Sequence, residues 1–174
     1  MNTNEERTKQ ETVCVVGLGY VGLPLAVRAR ERGYRVIGFD VNEERNALIN
    51  DGKSPIEDQY LEAKLPKYRF EATNNPERIR EADILLICVP TPVDELHNPD
   101  LIPVENASQT VAKNLKKGAL VVLESTVNPG VSEEIIAPLF EKEGHTIGHD
   151  VFLAHCPERI NPGDDVWNVT NIPR

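Results

Sequence analysis

The sequence has few aromatic residues, few cysteines and no long apolar run. Only 5% of its 174 residues are aromatic, so any core must be built from Val, Ile, Leu and Ala side chains. No apolar run approaches the roughly 18 residues of a membrane-spanning helix, which excludes that class of protein. Cys14, Cys88 and Cys156 form no Cys-x-x-Cys pair and cannot all be bridged. We therefore expect a reducing, cytoplasmic location.

Positive charge is also scarce, with 19 Lys and Arg against 28 Asp and Glu and a net charge of −9. Such a chain is a poor candidate for binding nucleic acid or an anionic membrane, and we expect neither as a partner. The four histidines have no metal-ligand spacing, so no metal site is expected. Residues 1–11 are polar, lack the apolar segment of a secretory signal, and are predicted to form a flexible tail.

From residue 12 onward, short β-branched runs alternate with longer helical patterns. Continuous apolar runs at 12–17 and 83–89 are typical of strands buried on both faces. Further strands are predicted at 35–40, 69–72, 119–124 and 151–156, and helices at 20–32, 43–50, 57–65, 76–82, 104–115 and 131–142. This alternation predicts an α/β fold, a doubly wound and mainly parallel sheet of about six strands of the Rossmann type. Residues 12–174 are expected to form a single domain.

A glycine-rich motif directly follows the first predicted strand. Gly17, Gly19 and Gly22 have the spacing G-x-G-x-x-G, with Tyr20 and Val21 between the last two. Gly17 would allow a tight turn, Gly19 the close approach of a pyrophosphate, and Gly22 the packing of the next helix on the strand. The N–H groups at the start of that helix suit a phosphate. Because a strand precedes the motif and a helix follows it, the motif predicts a dinucleotide site.

The second predicted strand ends in Asp40, at the expected interval from the glycines. A carboxylate there can accept the hydroxyls of an adenosine ribose and would repel a 2′-phosphate, which favours NAD over NADP. The alternative is a glycine turn followed by an Asp that caps a helix. Arg45 lies one helical turn further on, and could pair with Asp40, stack near the adenine, or remain an exposed helix charge.

Small polar and charged residues follow three later predicted strands. Thr91, Ser125 and Thr126 stand at proline-flanked strand ends and suit contact with a cofactor. After the last strand, Glu158 is a candidate acid, base or water-positioning group, and Arg159 a candidate contact for an anionic substrate. The alternative for these two residues is a surface ion pair of little energetic weight.

Five segments together resemble one known family. They are VCVVGLGYVGLPLA at 13–26, VIGFDVN at 36–42, CVPTP at 88–92, ESTVNPG at 124–130 and CPERINPG at 156–163. In this order they are similar to the UDP-glucose/GDP-mannose dehydrogenases, which oxidise the C6 alcohol of a nucleotide sugar to a carboxylate with two NAD+. The segment DGKSPIED at 51–58 and the CPER ending resemble the UDP-N-acetylhexosamine branch.

The resemblance implies a role for each matching residue. The pyrophosphate loop would be Gly17, Gly19, Tyr20, Val21 and Gly22, the adenosine side Asp40 and Arg45, and the remaining cofactor lining Pro90, Thr91 and Thr126. Thr126 is also implied to help place the catalytic water, and Glu158 to act as the acid/base glutamate. The implied substrate is UDP-N-acetyl-D-mannosamine, with UDP-N-acetylglucosamine as the alternative.

The sequence also departs from the family pattern. None of its cysteines has the Gly-x-Cys-x-Pro setting of the family's nucleophile, which forms a thiohemiacetal and then a thioester with the substrate. The family's catalytic Lys and Asn, its central dimer-forming helix and its second domain are not found either. We therefore expect an NAD-binding half that binds NAD without turnover, from an enzyme that is a homodimer at full length. A free-standing, non-catalytic NAD-binding module is the alternative from another class.

Overall fold

The computed structural model describes residues 10–157 together with Arg159, Val169 and Asn171. Its core is one sheet of six parallel strands. The strands are β1 (Thr12–Val16), β2 (Arg35–Phe39), β3 (Glu71–Thr73), β4 (Ile84–Ile87), β5 (Ala119–Leu123) and β6 (Val151–His155). The predicted doubly wound sheet is confirmed. Residues 1–9 of the predicted tail lie outside the described residues.

The strand order is β3-β2-β1-β4-β5-β6, so the chain first winds outward from β1 and then returns to its other side. In the register, Val13 of β1 pairs with Val36 of β2 on one side and with Ile84 of β4 on the other. The chain runs from β1 through the helix α1 (Gly22–Glu31) to β2, and from β4 through the helix α4 (Ile102–Asn114) to β5, so these two connections turn in opposite directions and cover opposite faces of the sheet. Between them, a crevice forms at the carboxyl ends of β1 and β4, where open α/β sheets bind their ligands.

The α-helices of the described residues are α1 (Gly22–Glu31), α2 (Glu43–Asn50), α3 (Gln59–Lys64), α4 (Ile102–Asn114) and α5 (Ala137–Lys142). Side-chain caps start α2 and α3. Asn42 Oδ1 accepts the Arg45 N–H at 2.9 Å, and Asp58 Oδ1 accepts the Leu61 N–H at 2.8 Å. Each cap pairs a backbone donor that the first helical turn leaves unpaired. No described helix is long and apolar enough to span a bilayer.

Two predicted helices differ in their hydrogen-bond period. Pro76–Glu81 is a 3₁₀ helix, in which the Arg78 N–H donates to the Asn75 carbonyl three residues earlier. This tighter period is common in short connectors. Before α5, Ser132–Ile136 forms a π-helical turn. Pro138 has no N–H to donate to the Glu134 carbonyl, so a regular α-helical bond is missing where the wider turn meets α5.

The core consists of one apolar cluster on each face of the sheet. On one face, alternate β1 residues such as Val13 and Val15 pack with side chains of α1, α2 and α3, among them Ile49 and Leu61. On the other face, Cys14 and Val16 belong to the cluster that holds α4, α5 and the 3₁₀ helix. Because β1 contributes to both clusters, all of its residues are buried. This explains the continuous apolar run in the sequence.

Candidate functional site

The glycine-rich loop joins β1 to α1, and two of its glycines are required by close backbone contacts. Gly17 has φ of +90°, and a Cβ there would lie 2.9 Å from the Cys88 carbonyl oxygen. A Cβ on Gly22 would lie 1.8 Å from the Gly17 carbonyl oxygen. The loop can therefore keep this shape only without side chains at these two positions.

The remaining glycine, Gly19, leaves the loop open toward the crevice. A Cβ added to Gly19 would meet no heavy atom within 4 Å. The N–H groups of Gly19, Tyr20 and Val21 donate to no acceptor among the described residues. They lie at the start of α1, whose first turn holds no acidic residue. Free N–H groups at a helix N-terminus attract an anion, so the loop has the chemistry of a phosphate site.

Asp40, directly after β2, is 6% exposed and held by several hydrogen bonds. Its Oδ2 accepts the Leu18 N–H at 2.8 Å and Arg45 Nη1 at 3.0 Å, and its Oδ1 accepts the Asn42 N–H at 2.9 Å. The Asn46 amide donates to the Asp40 carbonyl at 2.8 Å. The carboxylate is therefore tied to the glycine loop on one side and to α2 on the other.

These bonds leave the carboxylate limited capacity for a ligand. A carboxylate oxygen accepts about two hydrogen bonds, so Oδ2 is fully used and Oδ1 can accept one more. Among its partners, only Arg45 reaches it through a flexible side chain, which is 35% exposed. Asp40 can thus accept one hydroxyl as it stands, and a second one if Arg45 moves away. Of the alternatives left open by the sequence, pairing of Arg45 with Asp40 is the one observed.

A cavity of about 720 Å³ lies in the crevice between β1, β2, β4 and α4. Its size falls within the range of sites for small molecules and cofactors. The lining residues are Val16, Gly17, Gly19, Tyr20, Val21, Phe39, Asp40, Val41, Arg45, Cys88, Val89, Pro90, Ile102, Pro103, Asn106, Ala107 and Thr110. The structure thus brings the glycine loop, Asp40, Arg45 and Pro90 to one cavity.

The other strand-end residues, Thr91, Ser125 and Thr126, do not line this cavity. Thr91 is half-buried after β4, and Thr126 is exposed after β5. Ser125 differs from the expectation of a cofactor contact, because it is 6% exposed and its hydroxyl donates to the Val89 carbonyl at 2.7 Å. The Ser125 hydroxyl thus connects the end of β5 to the end of β4. Of Ser125 and Thr126, only Thr126 is accessible to a ligand.

The remaining candidates are less closely defined. Glu158 lies outside the described residues, while Arg159 is described and exposed. Cys14, Cys88 and Cys156 are not disulfide-bonded. Burial raises the pKa of the Cys14 thiol to about 12, so it remains protonated at neutral pH and is a core residue. Among the described residues, no cluster of His, Cys, Asp or Glu could hold a metal ion.

Sequence reasoning missed the wall of the cavity that α4 provides. The sequence predicts this helix only from residue 104, whereas α4 begins at Ile102 with Pro103 in its first turn. Ile102, Asn106 and Thr110 are four residues apart and share one helix face. Pro103 and this four-residue spacing could have predicted the earlier start of the helix, since proline is favoured in the first turn of a helix.

A parallel sheet with this strand order, a glycine turn at its switch point and a carboxylate after β2 define a dinucleotide-binding domain. The chain belongs to the UDP-glucose/GDP-mannose dehydrogenase family, since residues 11–174 match that family's NAD binding domain. This confirms the family resemblance and the expected cofactor, NAD. The open backbone above Gly19 and the free N–H groups beside it fit the pyrophosphate of that cofactor.

The chain is 44% identical to Protein CapL of Staphylococcus aureus, over 93% of this chain and 38% of that protein. It is 42% identical to a UDP-N-acetyl-D-glucosamine 6-dehydrogenase of Pseudomonas aeruginosa, over 95% of this chain and 39% of that protein. The solved UDP-D-ManNAc dehydrogenase of Pyrococcus horikoshii is 36% identical, with a TM-score of 0.82 over 87% of this chain and 37% of that one. The chain thus spans about two-fifths of the length of these relatives.

Proposed function

We propose that this chain is the NAD-binding part of a nucleotide-sugar 6-dehydrogenase. The observation that carries the proposal is the cavity at the switch point, where Asp40 and the free N–H groups of the glycine loop face the same space. A carboxylate and a set of amide donors that line one cavity suit the ribose and the pyrophosphate of one dinucleotide. Residues 12–174 would form this domain, preceded by the tail 1–11.

Each part of the dinucleotide has candidate partners. The pyrophosphate would accept hydrogen bonds from the N–H groups of the loop that holds Gly17, Gly19, Tyr20, Val21 and Gly22. The adenosine ribose would donate to Asp40, with Arg45 moving off Oδ2 as the second hydroxyl arrives. Pro90 lines the cavity, and Thr91 and Thr126 follow the neighbouring strands β4 and β5, so we assign these three residues to the nicotinamide side.

The bound NAD would supply a hydride acceptor for the oxidation of the sugar C6 carbon. On this chain, the exposed Thr126 hydroxyl could hold a water near that carbon, and Glu158 could take or return its proton. Arg159 and Glu158 would contact the substrate. The family's thiolate chemistry requires a cysteine in a setting that Cys14, Cys88 and Cys156 lack, so this chain alone should bind NAD without sustained turnover.

For the substrate of the whole protein, we propose UDP-N-acetyl-D-mannosamine. Support comes from the matching motifs and from the relatives that carry this name, among them one of Campylobacter jejuni that is 42% identical over 93% of this chain. UDP-N-acetylglucosamine is the second candidate, favoured by the Pseudomonas aeruginosa relative. We also propose a cytoplasmic homodimer, for which cysteines that are not disulfide-bonded support the location.

The cofactor site can be tested by calorimetric titration of this chain with NAD+ and NADP+. NAD+ should bind more tightly, because a 2′-phosphate would meet the Asp40 carboxylate. Asp40→Asn should reduce this preference, since it removes the charge and keeps the size. Asp51→Asn is the matched control, as Asp51 lies exposed after α2. Tighter binding of NADP+ to the unaltered chain would contradict the ribose assignment.

The catalytic part of the proposal has a separate test. This chain is mixed with NAD+ and each UDP-N-acetylhexosamine in turn, and NADH is followed by its absorbance. No sustained NADH formation is expected, although NAD+ binds. Continuous NADH formation would show that the chain carries a complete catalytic set, and would overturn this part of the proposal.

A further inference from the structure

One face of α4 forms a wall of the proposed NAD cavity, opposite the loop that follows β2. Ile102, Asn106 and Thr110 lie on this face, and Asp40 and Val41 line the other side of the same cavity. Because Asp40 marks the ribose of the adenosine, the space between Val41 and α4 is where the attached base would lie.

The walls of this space suit a flat aromatic ring. Val41 is 82% exposed and Ile102 is 63% exposed, although both are large apolar side chains. They stand on opposite sides of the cavity, one after β2 and one at the start of α4. When a ring is inserted between apolar side chains on both sides of a cavity, their surface is removed from water and the free energy falls.

Most polar side chains around this space already have partners. The Arg45 guanidinium and the Asp40 carboxylate are joined at 3.0 Å. The Thr110 hydroxyl donates to the Asn106 carbonyl at 2.8 Å. The side-chain amide of Asn106 makes no hydrogen bond to any residue that the structure describes. On the α4 wall, it is therefore the side chain available to bind the polar edge of a base.

We propose that Asn106 is the residue that recognises the adenine base, by accepting a hydrogen bond from its 6-amino group. This inference rests on the proposed NAD site and adds a specificity-determining residue to it. A side-chain amide carries both a donor and an acceptor, which matches the adenine edge where the 6-amino donor stands beside the N7 acceptor. The hypoxanthine analogue presents two acceptors on this edge, so a turned amide can form only one of the two bonds. Arg45 cannot offer this pairing even when it moves off Asp40, because a guanidinium carries only donors and cannot accept from an amino group.

The test compares the binding of NAD+ with that of its hypoxanthine analogue, in which a carbonyl replaces the 6-amino group. Affinities are measured by calorimetry for the unaltered chain, Asn106→Ala and Asn106→Asp. The ratio of the two affinities is the readout, because any general effect of charge or packing acts on both ligands. Gln109→Ala is the matched control, since Gln109 lies on α4 and does not line the cavity.

We expect the unaltered chain and Gln109→Ala to prefer NAD+, by about five-fold for one hydrogen bond. Asn106→Ala should bring the ratio close to one. Asn106→Asp should raise the ratio above that of the unaltered chain. A carboxylate still accepts from the amino group of NAD+, but it repels the carbonyl of the analogue. An amide can turn to donate to that carbonyl, whereas a carboxylate has no donor.

Two outcomes would overturn the inference in different ways. If NAD+ binds and the ratio is the same in all the variants, Asn106 does not read the base, and the proposed NAD site remains. If the unaltered chain binds neither dinucleotide, the proposed function fails and the inference fails with it. Melting curves of Asn106→Ala and Asn106→Asp should match the unaltered chain, because Asn106 is exposed.

Discussion

The two glycines on either side of Tyr20 and Val21 should respond in opposite ways to the same substitution. In Gly22→Ala, the new Cβ would lie 1.8 Å from the Gly17 carbonyl oxygen, whereas ordinary contacts begin at 3.4 Å. In Gly19→Ala, the new Cβ would meet nothing within 4 Å. The first substitution should therefore disturb the fold, and the second only a bound ligand.

The expected size of the Gly22→Ala effect follows from two opposing terms. Alanine gains up to about 1 kcal/mol over glycine in a helix. Overpacking typically costs about 1–3 kcal/mol, and this site lies at or above the upper end, because the obstructing atom belongs to the backbone. A net loss of about 2 kcal/mol or more would lower the melting temperature of a domain of this size by roughly 4–8 °C.

Gly19→Ala should keep or slightly raise the stability, since Gly19 does not need the left-handed backbone region and alanine restricts the unfolded chain. Its affinity for NAD+ should fall by about ten-fold or more, because the methyl group projects into the open space above the loop. Thermal melting and calorimetric titration of both variants check these expectations. Unchanged NAD+ binding in Gly19→Ala, or unchanged stability in Gly22→Ala, would refute the roles deduced for the loop.

Two further predictions concern the sheet. Ser125→Ala should destabilise the fold by about 1–3 kcal/mol, because it leaves the Val89 carbonyl without the hydroxyl that donates to it. Urea unfolding measures this; an unchanged free energy of unfolding would mean that water replaces the bond. Lys117, together with the Thr146 N–H, lowers the pKa of Asp150 from 3.8 to about 2, so these contacts stabilise the fold at neutral pH and their contribution is lost as the pH falls through that range. Asp150→Asn should therefore be less stable at pH 7, with a difference that narrows below pH 3.8; a constant difference in urea unfolding would contradict this.

Local sequence patterns predicted the residues whose roles depend on the backbone. The spacing of Gly17, Gly19 and Gly22 follows from the turn and helix that a dinucleotide loop requires. Asp40 was found because it ends a strand at a fixed interval. Such features can be read from the sequence, since they depend on neighbours along the chain.

Side-chain partners from distant parts of the chain were harder to predict. Ser125 looked like a cofactor contact, but its hydroxyl is used by Val89, which is 36 residues away. Arg45 had several possible roles, and its pairing with Asp40 became clear only from the geometry. In both cases the sequence supplies the polar group, and the packing of neighbouring strands and helices decides its partner.

The sequence by itself determined the alternation of strands and helices, the glycine loop and the carboxylate that favours NAD, because each depends on local periodicity or spacing. Only the tertiary structure decided that α4 faces Asp40 across one cavity, and that Asn106 keeps an uncommitted amide there. The physical reason is that these residues meet through the parallel pairing of β1 with both β2 and β4. That pairing joins segments far apart in the chain, and no local pattern encodes their distance.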